Sequence, residues 1–321
     1  MGNCYGNAAL HPTRSQLRKF RERSFDATIA GSSTDDYRLA FEERYQIGGM
    51  LGEGSDACVY EAVDRETHCR VAVKVTLLNI PEHEEKREGL RRRFHSETSI
   101  LASLRHRNVV RLLDSYECDE RLVMVLECAK GGTLFDVLCE SSGLDESHAR
   151  SIMVTLAEAI RFLHKNDIVH RDLKPENILF RSKDGRINDV LIADFGFATH
   201  CANDTDLKEV LGTLEYIAPE ILRLQSYGKG ADVWALGVIL YNLLSGLYPF
   251  YHSDRAELCR RIIDGSFSFS DHEVWDSISP NAKDLITKAL MVDPSQRICI
   301  EDFLQHPWML CFDDDVIELS L

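Results

Sequence analysis

The chain reads HRDLKPEN at residues 170–177, and the segments ADFG and GTLEYIAPE follow before residue 221. Three side chains in this stretch carry a carboxylate or an amide at fixed steps, and they are Asp172, Asn177 and Asp194. Such oxygens hold a metal that is bound to phosphate, and a carboxylate accepts a proton from a hydroxyl group. The stretch therefore predicts a site that binds a metal–phosphate and takes up one proton.

Composition limits the classes of protein to consider. The chain has 321 residues, of which 44% are hydrophobic, and its formal net charge is −15. This length is sufficient for about two domains or one large one. An acidic chain is a poor general ligand for nucleic acid, because the phosphate backbone attracts clustered Lys and Arg. We therefore expect no nucleic-acid partner.

The ten cysteines are scattered, without a CxxC pair or a Cys/His group at metal-ligand spacing. We interpret them as reduced thiols of a cytoplasmic or nuclear protein. No signal peptide is visible. The most apolar long run, Val233 to Phe250, is interrupted by Asn242, Ser245 and Gly246, and this pattern predicts a buried core helix rather than a membrane span.

Residues 1–44 are predicted to form a disordered basic tail. The chain begins MGNCYGN, so Gly2 is a candidate for myristoylation and Cys4 for palmitoylation, although Gly6 replaces the usual Ser or Thr. Five basic residues follow: Arg14, Arg18, Lys19, Arg21 and Arg23. An acyl chain with a second chain or a basic patch anchors a protein to the cytosolic face of a membrane. The alternative is an unmodified, solvated tail.

From Tyr45 the sequence alternates apolar and polar residues with turn residues between the runs, which predicts an antiparallel meander of three strands. A glycine pair, Gly52 and Gly54, lies at the first turn and allows the backbone to approach phosphate oxygens. Residues 82–104 then have a helical period with Glu97 near the apolar face. Two further strands and a run of helices, including 146–165, are expected beyond it.

Taken together, the glycine turn, the VAVK segment ending at Lys74, HRDLKPEN, ADFG and APE resemble the eukaryotic Ser/Thr protein kinases. The part that ends at HPW resembles the calcium/calmodulin-dependent kinase group. The resemblance covers Tyr45 to Trp308 and implies an α+β, two-lobed fold. Residues 45–129 would form a small lobe with a five-stranded antiparallel sheet and one main helix. Residues 130–308 would form a larger, mostly helical lobe, and 309–321 a short acidic tail.

This resemblance implies ATP and Mg²⁺ as cofactors and protein Ser/Thr hydroxyls as acceptors. Asp172 would be the base, Lys174 would contact the γ-phosphate, and Asn177 and Asp194 would hold the metal. Lys74 would reach the α- and β-phosphates and pair with Glu97, although a solvated helix carboxylate is the alternative for Glu97. The other expected nucleotide-binding residues are Leu51, Gly52, Glu53, Gly54, Ser55, Val59, Ala72, Glu127, Ala129 and Leu179.

The activation segment carries the most individual information. In many relatives a phosphorylated Thr lies four residues before the Thr of the GT in GTxxYxAPE, and here that position is Glu209. Arg171, which pairs with the loop phosphate in the family, is therefore expected to contact Glu209 and give basal activity. The alternative for Glu209 is a solvated loop charge. Thr205 is a further candidate phosphosite, and Thr213 would contact Asp172 and Lys174.

Some positions depart from the family pattern. Ala57 replaces the third glycine of the loop, and Thr133 and Asn242 replace acidic residues that bind basic substrates. The sequence also lacks a DxDxDG loop and a basic amphipathic helix after Trp308, so direct calcium or calmodulin binding is not expected. An active Ser/Thr kinase is the first hypothesis. A weakly active or inactive kinase-fold scaffold that binds nucleotide and partners is the second. A small-molecule phosphotransferase is disfavoured by the APE segment.

Overall fold

The computed structural model describes residues 41–54, 56–78, 84–118, 120–182, 189–203, 206–270 and 273–311. The predicted sites at Gly2, Cys4, Ser55 and Thr205 lie outside the described residues. The described residues divide into two compact units, one drawn from residues 1–83 and 114–125 and the other from residues 84–113 and 126–321.

The first unit is built on a five-stranded sheet with the strand order β1-β2-β3-β5-β4. Its strands are β1 (Tyr45–Glu53), β2 (Ala57–Asp64), β3 (Arg70–Leu77), β4 (Leu112–Cys118) and β5 (Arg121–Glu127). The first three strands pair as an antiparallel meander, as the alternating pattern predicts. The five-stranded sheet is thereby confirmed.

The buried core of this unit includes a residue before Tyr45. Residues 41–44 are helical, and Phe41 is buried although it falls within the predicted 1–44 tail. Its ring packs against the rings of Tyr45 and Tyr116, with centroids 5.3 and 5.4 Å away. A local sequence pattern does not show this, because the contact to Tyr116 joins residues 75 positions apart.

The second unit is mostly helical. Its longer helices are α1 (Glu84–Ser103), α2 (Leu134–Glu140), α3 (Glu146–Lys165), α5 (Gly230–Ser245), α6 (Arg255–Asp264) and α7 (Pro280–Ala289). The short helices are α4 (Pro219–Leu222), α8 (Ile300–Leu304) and α9 (Pro307–Leu310). Two small antiparallel pairs join β6 (Ile168–Val169) to β9 (Thr199–His200), and β7 (Ile178–Phe180) to β8 (Val190–Ile192).

A capping residue and an apolar face, both visible in the sequence, explain how α3 begins and packs. Asp145 caps α3 by accepting a hydrogen bond from the His148 amide at 3.0 Å, and this satisfies a backbone donor of the first turn. The apolar stripe of α3 is buried, including Ile152 and Leu156. Helix α5 is buried on all sides, as expected for a core helix. No helix within the described ranges combines the length and the apolar character that a membrane crossing requires.

A buried ion pair joins the APE segment, through Glu220, to the C-terminal part of this unit. Arg297 places Nη1 and Nη2 at 2.7 and 2.8 Å from the two carboxylate oxygens of Glu220. Arg297 Nη1 also donates to the Gly230 carbonyl at 2.8 Å. Such a two-pronged pair, with further hydrogen bonds, compensates for burial of the charges.

Candidate active site

Asp232, near the start of α5, anchors the backbone of the catalytic loop, which is the HRDLKPEN segment at residues 170–177. Its carboxylate accepts from the backbone amides of His170 and Arg171, both at 3.0 Å. His164 Nε2 lies 2.9 Å from the same carboxylate. Burial alone would raise the pKa of Asp232, but the hydrogen bonds and charges of His164 and His170 bring it below its ordinary value. The backbone of residues 170–171 is thus fixed by a buried carboxylate.

Asp172 lies at the centre of a hydrogen-bonded group. The Thr213 amide and hydroxyl donate to Asp172 Oδ1 at 3.0 and 2.9 Å. Lys174 Nζ lies 2.9 Å from Asp172 Oδ2 and 2.7 Å from Thr213 Oγ1. The Asn177 amide donates to Asp172 Oδ2 at 3.1 Å and to its carbonyl at 2.8 Å. Both carboxylate oxygens of Asp172 are therefore oriented by neighbouring donors.

Gly212 allows Thr213 to come this close. Its φ is 108°, and a Cβ at this position would lie 2.7 Å from the Arg171 carbonyl oxygen. Arg171 itself has a φ of 69°, which is uncommon for a side chain other than glycine. The two backbone segments meet here at a distance that only glycine permits.

Asn177 and Asp194 are brought together by backbone contacts. The Ala193 amide donates to the Asn177 carbonyl at 2.9 Å, so the residue before Asp194 is paired with Asn177. His170 is fully buried; its Nε2 lies 3.2 Å from the Ala193 carbonyl and its ring contacts Phe195. Asp194 is exposed, with a φ of 59°. The two predicted metal ligands thus flank a pair of neighbouring strands: Asn177 directly precedes β7 and Asp194 follows the end of β8.

Glu97 is a buried carboxylate of α1, with 5% of its surface exposed. A Cβ added to Gly196 would lie 3.6 Å from Glu97 Oε2 and 3.3 Å from Asp194 Oδ1. This burial excludes the solvated alternative for Glu97, because an ionisable group is rarely buried without a partner. Its pairing with Lys74 stays a prediction.

The first unit carries the glycine turn at Gly52 and Gly54 and the neighbouring strands β2 and β3. Glu53 lies opposite Cys58 across the hairpin of β1 and β2, and the Gly54 amide donates to the Ala57 carbonyl at 2.8 Å. The next pair of strands sets Val59 opposite Lys74. Gly52, Val59 and Lys74 are half-buried, Ala72 is buried, and Leu51, Glu53 and Gly54 are exposed.

The segment after β5 has a strict need for glycine. The Gly131 amide donates to the Phe180 carbonyl at 2.9 Å, and a Cβ on Gly131 would lie 2.5 Å from both Phe180 Cβ and the Ser182 carbonyl oxygen. Leu179 bridges to Thr133 in the same region. The Glu127 side chain forms an ion pair with Arg181. Ala129, between Glu127 and Gly131, is half-buried.

Arg171 and Glu209 are in contact. Arg171 Nη1 lies 2.8 Å from Glu209 Oε2, and its Nε donates to the Phe197 carbonyl at 2.5 Å. The Arg171 side chain is 7% exposed, whereas that of Glu209 is 70% exposed. The predicted contact is therefore present in the structure, with one end of it open to solvent.

Tyr227 was not singled out by the sequence, yet it anchors the same segment. Its hydroxyl donates to the Glu209 carbonyl at 2.8 Å and lies 3.4 Å from Arg171 Nη1. Its backbone exchanges two hydrogen bonds with Leu207, at 3.0 and 3.2 Å. The ring is 2% exposed. No local motif marks this residue, because its partners lie 18 or more positions earlier.

The chain matches the family model described as "Protein kinase domain" over residues 45–309. It is 41% identical to the calcium/calmodulin-dependent protein kinase type I of Schizosaccharomyces pombe over 285 residues, which cover 87% of this chain and 82% of that protein. It is 40% identical to the rat phosphorylase b kinase gamma catalytic chain, liver/testis isoform, over 84% of this chain and 67% of that protein. Human serine/threonine-protein kinase H1 is 39% identical over 93% of this chain and 66% of that protein.

Kinases of this kind act on proteins, so the relatives imply a protein substrate here. The fold, the match over 45–309 and the identities near 40% agree with one another. The chain belongs to the protein kinase family, and it is a serine/threonine-protein kinase that resembles the calcium/calmodulin-dependent group.

Proposed function

We propose that the chain transfers the γ-phosphate of ATP to Ser or Thr hydroxyls of proteins, with Asp172 as the base. The observation that carries this proposal is the arrangement at Asp172, whose carboxylate is oriented by Thr213, Lys174 and Asn177. An oriented carboxylate positions a hydroxyl and accepts its proton as the phosphoryl group is transferred.

Thr213 and Lys174 form a short proton-sharing chain with the base. Lys174 donates to Thr213 Oγ1, and the Thr213 hydroxyl donates to Asp172 Oδ1. Thr213 donates to one oxygen of Asp172, and Lys174 and Asn177 contact the other, so the carboxylate has a fixed orientation towards an acceptor hydroxyl. The positive charge of Lys174 beside Asp172 would also stabilise the negative charge of the transferred phosphoryl group.

Asn177 and Asp194 have the donor chemistry that Mg²⁺ requires. The Asn177 nitrogen is used by Asp172, so the amide oxygen is the atom left to face a cation. Asp194 offers an exposed carboxylate two residues after the end of β8. Mg²⁺ prefers a few such oxygens and takes phosphate and water as its remaining ligands. The metal, when bound with ATP, would neutralise phosphate charge.

Lys74 with Glu97 would fix the α- and β-phosphates, and the glycine turn would cover them. Val59, Ala72 and Leu179 would enclose the adenine ring, and the backbone of Glu127 and Ala129 would hydrogen-bond to it. Leu51 and Glu53 would flank the turn on β1. These assignments rest on the family pattern and on the positions of the residues in their strands.

We also propose that the enzyme is basally active without phosphorylation of its activation segment. The support is the contact of Arg171 with Glu209 together with the two anchors that Tyr227 provides. A carboxylate supplies less charge and fewer acceptor oxygens than a phosphate does. Tyr227 compensates, because it holds the backbone of residues 207–209 by neutral hydrogen bonds.

A membrane role for the N-terminal residues is a separate proposal. Gly2 and Cys4 would carry acyl chains, and the basic residues after them would bind anionic lipid. Intact mass of the protein made in a eukaryotic host tests it. An added mass of one or two acyl chains that is absent from Gly2→Ala would support the proposal, and an unmodified mass would refute it.

The base is tested by Asp172→Asn. We expect phosphorylation of a Ser/Thr peptide with Mg²⁺ and ATP to fall by a factor of about 10²–10⁴, because the carboxylate is the proton acceptor. The matched pair Thr213→Ser and Thr213→Val should keep and lose activity, respectively. Equal activity in the wild type and Asp172→Asn would contradict the proposal. Nucleotide binding without any phosphoryl transfer by the wild type would favour the scaffold alternative.

A further inference from the structure

Strand β1 carries the glycine turn but has little of its own to hold it in place. Of its residues, only Tyr45 is buried. Its register with β2 is irregular at two places, between Ile47 and Met50 and between Met50 and Gly52. A strand that is rich in glycine and exposed on its faces has a weakly specified register. The pairing of β1 with β2 therefore leaves room for a second constraint, at the N-terminal end of β1.

Side chains from the two edges of the sheet meet at that end. Strands β1 and β4 are the outermost in the order β1-β2-β3-β5-β4, and in a flat sheet their backbones would lie about 19 Å apart at about 4.8 Å per strand. Tyr45 on β1 and Tyr116 on β4 nevertheless bring their ring centroids within 6.4 Å of each other. Phe41 fills the space between them and is 6% exposed. The sheet is closed at this end by aromatic side chains.

Polar contacts of Arg44 reinforce the closure. Its guanidinium reaches Asp64 at the end of β2 at 3.2 Å and Asp114 on β4 at 3.3 Å. Its carbonyl accepts from the Arg65 amide at 2.8 Å. The Tyr116 hydroxyl donates to the same Asp114 carboxylate at 2.6 Å. One arginine thus connects the start of β1 to the turn after β2 and to the opposite edge.

We propose that this group is a positioning device for the nucleotide-binding strands. We name it the N-terminal clasp, and it consists of Phe41, Arg44, Tyr45, Asp64, Asp114 and Tyr116. By holding Tyr45 opposite Asp64, it fixes the start of β1 and limits how far the strand can slide along β2, which constrains the glycine turn at the other end of the strand. The proposal rests on the proposed use of ATP at that turn.

Full-length protein with Phe41→Ala tests the clasp. The matched controls are Phe41→Leu, which keeps an apolar side chain, and Arg70→Gln. Arg70 forms an exposed ion pair with Glu61 on the same sheet, with Nη1 2.6 Å from Oε1. The measurements are KM for ATP, kcat with a saturating peptide, the Kd of a fluorescent ATP analogue, and amide hydrogen exchange of residues 45–53.

We expect Phe41→Ala to raise KM for ATP and the Kd of the analogue about tenfold and to leave kcat within about twofold, because the turn is misplaced while the catalytic loop is intact. Exchange in residues 45–53 should accelerate, with exchange in α5 unchanged. Phe41→Leu and Arg70→Gln should behave like the wild type. Arg44→Gln should raise the Kd about threefold, and it carries the test if Phe41→Ala does not fold.

Unchanged nucleotide affinity and unchanged exchange of residues 45–53 in Phe41→Ala would overturn the clasp. An equal loss in Arg70→Gln would overturn it as well, because the effect would then be general to the sheet. A wild type that transfers no phosphate refutes the proposed function instead, and the exchange data still test the clasp in that case.

Discussion

The catalytic loop and the activation segment of this kinase are held in place by different physics. In the loop, His170, Asp172 and Asn177 are all buried, and the backbone is fixed by the 1% exposed carboxylate of Asp232. The activation segment lies at the surface around Glu209, whose side chain is 70% exposed. The catalytic loop is part of the buried core, whereas the activation segment around Glu209 lies outside it.

The catalytic loop and the activation segment are stabilised by different kinds of interaction. A buried carboxylate that satisfies several donors is costly to remove, because the donors are left without partners away from water. An exposed ion pair contributes about 0–1 kcal/mol. Between these extremes lies Tyr227, a buried ring whose hydroxyl reaches the exposed segment. The activation segment is therefore the part of the site that is open to adjustment.

The largest effect is expected from Asp232→Ala. This change leaves the amides of His170 and Arg171 and the ring of His164 without their common acceptor, so unfolding should need about 3–5 kcal/mol less free energy. Urea denaturation followed by circular dichroism measures the change. A loss below about 1 kcal/mol would show that the loop is not anchored through Asp232.

The pH dependence of stability tests the same anchor through Asp232→Asn, a substitution that leaves no large cavity. The pKa of Asp232 lies below its ordinary value in the folded protein, so its contribution to stability is present above the unfolded pKa of about 3.9 and is lost as pH falls through the folded pKa. The free energy of unfolding should therefore fall more steeply below about pH 4 in the wild type than in Asp232→Asn. Parallel curves for the two proteins would contradict this linkage.

Tyr227→Phe is expected to have an intermediate effect. It removes one hydroxyl that donates to the Glu209 carbonyl, so kcat/KM for a peptide should fall about 5–10-fold, which corresponds to about 1 kcal/mol. The matched control is Tyr241→Phe, because the buried Tyr241 also donates its hydroxyl to a carbonyl, that of Ser268, at 3.0 Å. Both variants should lose similar thermal stability, but only Tyr227→Phe should lose activity.

Much of the fold was predictable because its signals are local. The alternating residues of 45–77 and the helical period of 146–165 predict β1–β3 and α3, and both are present. The motif spacing also predicts that Asp172, Asn177 and Asp194 lie close together, and Asn177 contacts both Asp172 and Ala193, the residue before Asp194. These features depend on residues close together in the chain or on a fixed order of motifs.

The contacts that lie outside the motifs were not predictable. Phe41 precedes the expected start of the folded part, and its partner Tyr116 lies on the far edge of the sheet. Tyr227 is remote in sequence from Glu209 and Arg171. Periodicity reports which face of an element is buried, but it does not say which distant side chain covers it.

Glu209→Gln is expected to have the smallest effect. Its ion pair with Arg171 is open to water, so kcat/KM should fall only about two- to threefold at low salt and less at high salt. A much larger loss would show that the charge, rather than Tyr227, holds the segment.

The most direct test is the activity of protein made in bacteria and stripped by phosphatase, with its mass confirming that no phosphate remains. We expect this wild type to phosphorylate a Ser/Thr peptide without prior activation, and treatment with an upstream kinase to raise kcat/KM by less than about threefold. A protein that is inactive until its activation segment is phosphorylated would refute basal activity.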